Sequence, residues 1–392
     1  MRGRKHRRAL SGGTAGPTVE HAVAGGGEDE MSMTQDVAPA AARSAAAPAA
    51  STAHKRDQSI DVARGITIIA IVLGHVVIGV GAAHMANSQQ VEDVTRGLYL
   101  FRLSTLAYLS GLFVQRGIAK AGAKGFITQR LLLFGWLYLL WSTIQSTAKA
   151  LAGSLTNGTM GWGEVLRLWV PEGQLWFLPW LMSVTLIAVV VKPWASRTRA
   201  LVSLGGSLVL ALAVWGVEPT LIFTRGWALL LPFLAGCVMT ATTHARMFRS
   251  LAVAWVVALG GAAVWLSLDF GFTVVPPTLG GEDRTVSGVV LGVLACVVGT
   301  AACLAWAGLL ARTRASAAIG AVGRRSLEIF LAHIVVASGA RIVLLQLGVE
   351  SLGVHLVVGV MLGVVVPMAI AVAAERLGWT WVFGTPLALR RR

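Results

Sequence analysis

The sequence predicts an all-α polytopic membrane protein, a bundle of about ten transmembrane helices with the N-terminus and the C-terminus both cytoplasmic. The first observation is composition: of 392 residues, 55% are hydrophobic and only 13% are charged. A soluble globular chain carries about 25% charged residues. The second is a series of apolar stretches that recur from residue 60 to the C-terminus. The third is a basic charge that alternates between successive loops.

The first segment, residues 1–58, is predicted to be a disordered cytoplasmic tail. It is rich in Ala, Gly, Ser, Thr and Pro, so it cannot bury enough apolar surface to offset its ordering entropy. No apolar stretch follows the Arg7-Arg8 pair before residue 60, which argues against a cleaved signal. Residues 59–378 are predicted to form the membrane domain, and residues 379–392 a basic cytoplasmic tail.

Within the membrane domain, each predicted span follows from the length of an apolar stretch. A helix needs about 20 predominantly apolar residues to cross a bilayer. The stretches that meet this requirement are 61–81, 98–115, 131–148, 174–191, 200–217, 224–242, 250–268, 286–310, 326–347 and 353–374.

The positions of the basic residues predict the orientation. With these spans, 25 of the 33 Lys and Arg residues flank one side, five flank the other, and three lie inside spans. Because positive loops stay in the cytoplasm, the net charge of +15 mainly reflects topology. The charge deficit excludes nucleic-acid binding as the main function, so membrane lipids and not nucleic acid are the expected surroundings. The Ala-, Gly- and Arg-heavy usage suggests a bacterium with a GC-rich genome, hence a multi-pass protein of the bacterial plasma membrane.

Cysteine usage predicts neither a disulfide framework nor a thiolate metal site. The three cysteines, Cys237, Cys296 and Cys303, all lie inside apolar stretches. No metal is therefore expected.

The first span carries the best candidates for chemistry. Ionisable side chains within a membrane are costly, which makes them functional candidates. Arg64 and His75 are eleven residues apart, so they project from one helix face about 16 Å apart along the axis. This spacing suits an elongated ligand with an anionic part near Arg64 and a reacting group at His75, where imidazole acts as a general base. The alternative is that Arg64 extends to the lipid headgroups and His75 makes an interhelical hydrogen bond.

Three other charged side chains are predicted to have ordinary roles. Arg102 and Arg341 fall near the outer ends of their spans, so their guanidinium groups are expected to extend outward. Glu328 is close to Arg324 and Arg325, which predicts an interfacial ion pair.

Five motifs in register resemble acyltransferase family 3, a group of membrane O-acetylases that modify sugars and lipids. The motifs are Asp61-Val-Ala-Arg64-Gly65 with His75, Phe101-Arg102-Leu103-Ser104 with Ser110-Gly111-Leu112-Phe113, Phe126 with Arg130, Trp176-Phe177-Leu178, and Ser326-Leu-Glu-Ile-Phe330-Leu-Ala-His333. They cover residues 57 to about 340. Two positions depart from the family pattern: Arg102 stands where many members have His, and Phe330 replaces the common Tyr.

The resemblance implies acyl transfer from acyl-CoA, acetyl-CoA or another, on the cytoplasmic side to a hydroxyl group. In that function His75 is the catalytic residue, either as the base or as the carrier of the acyl group. Arg64 and Arg130 are expected to bind the phosphates of CoA, because guanidinium binds phosphate bidentately. Asp61, in the same motif as Arg64, is counted among the substrate-binding residues.

The implied acceptor is a carbohydrate or a lipid-linked glycan presented at the outer face. Trp176 is expected to contact this ligand. His333 has two interpretations, a second polar wall of the same cavity or an interhelical hydrogen bond. The alternative function is a proton-coupled secondary transporter with Arg64, His75 and His333 along the substrate path. A transporter of that kind is expected to show internal symmetry and half-helices near the middle of the membrane.

Overall fold

The computed structural model describes residues 57–155, 160–280, 284–386 and 389, and in this part of the chain the regular structure is entirely helical. Of the predicted tail, residues 1–58, positions 1–56 lie outside the described residues. The helices are α1 Gln58–Ala82, α2 Ser88–Tyr99, α3 Arg102–Gly111, α4 Val114–Ala152, α5 Phe177–Val191, α6 Arg197–Val214, α7 Leu230–Val238, α8 Ala241–Met247, α9 Leu251–Trp255, α10 Gly261–Gly271, α11 Val286–Leu310, α12 Ser316–Arg324, α13 Ser326–Gln346 and α14 Leu352–Arg376.

Seven helical segments of the described chain are long and apolar enough to cross a membrane, which makes this a multi-pass membrane protein. They are α1, α4, α6, Leu251–Gly271, α11, α13 and α14. The segment Leu251–Gly271 joins α9 to α10 through one π-helical turn, Val256–Gly260. All seven correspond to predicted spans.

The predicted count of about ten is not confirmed, because three predicted spans contain breaks or are short. The stretch 98–115 is interrupted at Phe101, whose φ of −136° and ψ of −36° are not helical, and again between α3 and α4. The stretch 174–191 forms a helix of 15 residues, Phe177–Val191. The stretch 224–242 gives Trp227–Val238, which is bent by 90° from α8. Hydropathy averaged over a window detects apolar composition but not these backbone breaks.

Helix α1 lies at the centre of the bundle, in contact with α3, α11, α12, α13 and α14. It begins at Asp57, whose side chain accepts a hydrogen bond of 2.9 Å from the Ser59 amide. Its first turns pack very closely against α12: a Cβ atom at Gly65 would lie 2.2 Å from the Ile319 carbonyl oxygen. Glycine is therefore required there for the approach of the two helices.

Two other elements shape the region around α1. Helix α4 is broken at Gly122, whose φ of +70° and ψ of 163° separate a basic N-terminal arm from the long apolar part. After α14, the segment Thr380–Val382 lies against α4, where the Trp136 and Trp141 indoles donate to the carbonyls of Trp381 and Val382 at 2.8 and 2.9 Å. The first residues of the predicted C-terminal tail thus pack on the bundle.

Candidate active site

Two histidines from distant parts of the sequence meet between α1 and α13. The Nε2 atom of His333 lies 3.3 Å from Nδ1 of His75, and the two rings meet edge to face with centroids 5.0 Å apart. His333 is fully buried. In each ring, Nδ1 also lies 2.9 Å from the carbonyl oxygen one helical turn earlier, that of Ile71 or Ile329.

These contacts fix the tautomer of both rings. A carbonyl oxygen only accepts hydrogen bonds, so Nδ1 of each neutral histidine carries the proton. The Nε2 atom of His333 is then an acceptor, and the Nδ1–H group of His75 is shared between His333 and the Ile71 carbonyl. This leaves Nε2 of His75 with the lone pair that a general base requires.

Two glutamines donate to adjacent carbonyls of α13 in the turn that precedes His333. Gln145 of α4 donates to the Leu331 carbonyl at 2.8 Å, and Gln174 donates to the Phe330 carbonyl at 2.9 Å. Both side chains are buried. They fix the position of the helical turn that carries His333.

A cavity of about 410 Å³ lies at the end of the bundle where α1 and α13 begin, which we call the basic end. Arg64, Arg130 and Arg324 line it, and no described residue that lines it is acidic. The Arg130 guanidinium lies 5.3 and 5.6 Å from the ring centroids of Phe126 and Phe134. Guanidinium groups bind phosphate bidentately, so the charge of this cavity suits an anionic ligand.

A second cavity, of about 420 Å³, lies at the opposite end of the bundle. His75 lines it, together with Arg341, His355 and the ion pair that Lys149 forms with Glu172 at 2.9 Å. Most of its remaining walls are aliphatic. A mostly apolar pocket with a few convergent polar groups is typical of a small-ligand site.

The two cavities share α1 and α13 as walls. On α1, Arg64 lines the basic-end cavity and His75 the opposite-end cavity. On α13, Phe330 lines the first and Ile334 the second, so His333 lies between them in the helix. His75 therefore lines the opposite-end cavity, and its partner His333 lies on α13 between residues that line the two cavities.

The model of acyltransferase family 3, described as an acyltransferase domain, matches residues 57–376. The chain belongs to this acyltransferase family. Curated proteins and solved structures give no match to the chain. The family resemblance predicted from five motifs is confirmed, and the match includes all described membrane helices. It supports an enzyme that acts as an acyltransferase and favours this function over the transporter.

The acyltransferase brings four of the six predicted site residues to the two cavities or the space between them: Arg64, Arg130, His75 and His333. Asp61 is buried 3.9 Å from Arg324, and it is not among the described residues that line either cavity. Its carboxylate therefore faces Arg324, which does line the basic-end cavity.

Trp176 also lies outside the linings of both cavities. The Arg225 guanidinium lies 5.1 Å from the centroid of its ring, and the indole occupies the space beside Gly226, whose φ is +86°. Arg225 in turn bonds to Glu218 and to the Thr278 carbonyl, the latter at 3.1 Å. Trp176 thus packs under a loop of the opposite end.

The expectation that Arg102 and Arg341 extend outward is wrong for both. The Arg102 side chain is 1% exposed; it donates to the Ala70 carbonyl at 3.2 Å and its guanidinium lies 4.0 Å from the Tyr99 ring centroid. Arg341 donates to the Gly79 carbonyl at 2.6 Å. Glycines on α1 make both contacts possible, because a Cβ atom at Gly74 or Gly79 would collide with the guanidinium. Glu328, as expected, pairs with Arg325 at 3.2 Å.

Sequence reasoning missed several residues of the site. Arg324, Gln145, Gln174, Arg341 and His355 carry no motif of their own, and only the packing of α4, α12, α13 and α14 brings them to the cavities or to α13. The available signal was the general one, a polar side chain inside or beside an apolar stretch. Among the described residues, no group of three His, Cys, Asp or Glu side chains is arranged to hold a metal ion.

Proposed function

We propose that this membrane acyltransferase moves an acyl group, acetyl in the simplest case, from acyl-CoA to a hydroxyl of a carbohydrate or lipid-linked glycan. The donor binds in the basic-end cavity and the acceptor in the opposite-end cavity. The observation that carries the proposal is the position of the His75–His333 pair between the two cavities. The transporter has less support, because the chain belongs to an acyltransferase family.

The distribution of charge supports the assignment of the donor. The basic end faces the cytoplasm in the orientation that the loop charges predict, and acyl-CoA is a cytoplasmic polyanion. Arg64, Arg130 and Arg324 would bind its phosphates. CoA cannot cross a bilayer, so an acyl group that must reach the outer face requires a passage through the protein.

The reaction follows from the protonation states of the pair. Nε2 of His75 takes the proton of the acceptor hydroxyl while its oxygen attacks the thioester carbonyl carbon. The C–S bond then breaks, and the CoA thiolate receives the proton from the His75 imidazolium, so that an ester and CoA thiol result. His333 accepts the Nδ1–H group of His75 throughout, and it stabilises the imidazolium as the acidic partner does in a catalytic triad.

The experiment measures transfer of labelled acetyl from acetyl-CoA to a membrane glycan extract by the purified protein in lipid nanodiscs. We expect His75→Gln to lower the rate by about 10²- to 10⁴-fold, the usual contribution of a general base. His84→Asn is the matched control: His84 is exposed in the turn after α1 with φ of 56°, which Asn tolerates.

Three results would contradict parts of this proposal. Equal rates for the wild type and His75→Gln would exclude His75 as the base. Label retained on the wild-type protein in the absence of an acceptor, and lost in His75→Gln, would make His75 the carrier of the acyl group. No product from the wild type with any of several acyl-CoA donors would exclude acyl-CoA as the donor.

A further inference from the structure

The opposite-end cavity contains a cation that no carboxylate of the described chain neutralises. Three charged side chains line it, Lys149, Glu172 and Arg341. Lys149 and Glu172 neutralise each other across 2.9 Å. Arg341 has no ion pair with any described residue, so the cavity keeps one net positive charge before any ligand enters.

Arg341 is also far from saturated with hydrogen bonds. Its side chain is more than nine-tenths buried, and one Nη1–H group donates to the Gly79 carbonyl. Its Nε atom is buried without a hydrogen-bond partner among the described residues. A guanidinium held in this way inside a membrane domain is costly unless an anion joins it.

The position of Arg341 relative to His75 defines a distance. Arg341 is fixed to Gly79, four residues after His75 on α1, which corresponds to about 6 Å along the helix axis. This axial spacing is similar in size to one sugar ring, so a ligand of that size suits both side chains. The aliphatic walls, such as Val76, Ile334 and Ile342, suit the carbon face of that ring.

We propose that the acceptor is an anionic glycan unit, in which a carboxylate or phosphate ester binds Arg341 while a hydroxyl of the same sugar faces His75. This inference rests on the proposed function for the statement that the bound sugar is acylated. The binding preference itself does not depend on the reaction. The guanidinium discriminates strongly because it binds carboxylate and phosphate bidentately.

The test measures ligand binding in the absence of any acyl donor. The protein is placed in nanodiscs of phosphatidylcholine, and calorimetry compares methyl glucoside with methyl glucuronide and with methyl glucoside 6-phosphate. The galacto series provides the same comparison with the other ring stereochemistry. We expect an anionic ligand to bind about tenfold more tightly than its neutral counterpart, or better, as for a partly buried charge pair.

The variants separate Arg341 from the general charge of that end. Arg341→Gln is expected to make the affinities for neutral and anionic ligands equal. Arg167→Gln, the matched control, removes a charge from an exposed residue that does not line the cavity, and the preference is expected to remain. If Arg341→Gln does not fold, the preference for anionic ligands is tested instead with Arg341→Lys and with the salt dependence of wild-type binding. Added salt should weaken binding of the anionic ligands only.

Equal affinity of the wild type for neutral and anionic ligands in both series would overturn the inference, as would a preference that persists in folded Arg341→Gln. Competition by phosphatidylglycerol without any preference among the soluble glycosides would also overturn it, because the cation then serves a lipid headgroup. Efficient transfer to neutral sugars, equal to that for uronides, would overturn the anionic acceptor and leave the acyltransferase intact. Preferential binding of uronides without acyl transfer to them would support the anionic binding site and contradict the proposed acyl transfer.

Discussion

His333 approaches His75 with its Nε2 atom, 3.3 Å from Nδ1, while Nδ1 of each ring lies 2.9 Å from a carbonyl of its own helix. The imidazole of His333 thus orients the imidazole of His75. Because His333 is fully buried and its Nδ1 proton is already donated, it serves His75 only as an acceptor. The pair is therefore asymmetric, and Nε2 of His75 is left for the ligand.

The asymmetry predicts different effects for the two histidines. We expect His333→Leu to lower kcat by about 10- to 100-fold, because leucine removes the acceptor of the His75 Nδ1–H group. A hydrogen bond to a group that becomes charged contributes about 1.5–3 kcal/mol. The loss should be smaller than that of His75→Gln. Steady-state kinetics should show KM for the donor unchanged, because His333 lines neither cavity. A loss confined to KM would assign His333 to ligand binding instead.

The basic-end cavity predicts a role for Arg130 that depends on the phosphates of the donor. Arg130→Gln should raise KM for acetyl-CoA by about tenfold, the equivalent of one hydrogen bond to a charged group. With S-acetyl-N-acetylcysteamine, which has the same thioester and no phosphate, the variant and the wild type should be alike.

Arg116→Gln is the control for this measurement, because Arg116 is an exposed arginine on the same helix, α4, and does not line the cavity. An equal rise of KM in Arg116→Gln would indicate general attraction of the donor. An equal effect of Arg130→Gln on both thioesters would exclude a phosphate contact.

The contact of α1 with α12 predicts that replacement of Gly65 destabilises the protein. A Cβ atom at Gly65 would lie 2.2 Å from the Ile319 carbonyl oxygen, so Gly65→Ala must separate two backbones. We expect a loss of about 1–3 kcal/mol, typical of overpacking. Thermal unfolding in detergent measures this loss. Gly205→Ala in α6, where nothing lies within 4 Å of the added methyl group, should be neutral or slightly stabilising.

The loop charges predict which end of the bundle faces the cytoplasm. A cysteine at Arg167 should react with a membrane-impermeant maleimide in intact cells, and a cysteine at Arg116 only after lysis. Both positions are exposed, at opposite ends of the bundle, and the native cysteines Cys237, Cys296 and Cys303 are buried, so background labelling should be low. The reverse pattern would place the arginine-lined cavity outside the cell and exclude cytoplasmic acyl-CoA as its ligand.

The spans that sequence predicted correctly are those in which composition and backbone agree. The stretch 286–310 was predicted with the bounds of α11, and α1, α13 and α14 differ from prediction by three residues or fewer at each end. The three unconfirmed stretches, 98–115, 174–191 and 224–242, differ from the prediction for local reasons. Phe101 and Met239 have non-helical backbone, and α5 starts only after the turns that bring Gln174 to α13. The apolar composition of a stretch does not reveal any of these three local backbone features.

The candidate site, like the spans, was predictable from the sequence only in part. Arg64 and His75 were predictable because both lie on one helix, where a spacing of eleven residues fixes their relative position. Trp176 was expected to contact a ligand because it belongs to a motif, and in the structure the Arg225 guanidinium lies 5.1 Å from the centroid of its ring. Membership in a motif does not state which face of a side chain is accessible.

The sequence by itself determined the membrane class, most of the spans, the family and the first-helix histidine, because these follow from composition and local periodicity. Only the tertiary structure decided that His333 is the partner of His75, that Arg102 is buried, and that Arg341 lines a cavity. These contacts join residues far apart in the chain; the two histidines are separated by 258 positions in the sequence. Their geometry depends on how closely helices approach at glycines such as Gly65, Gly74 and Gly79, a property of pairs of helices that no single stretch of sequence contains.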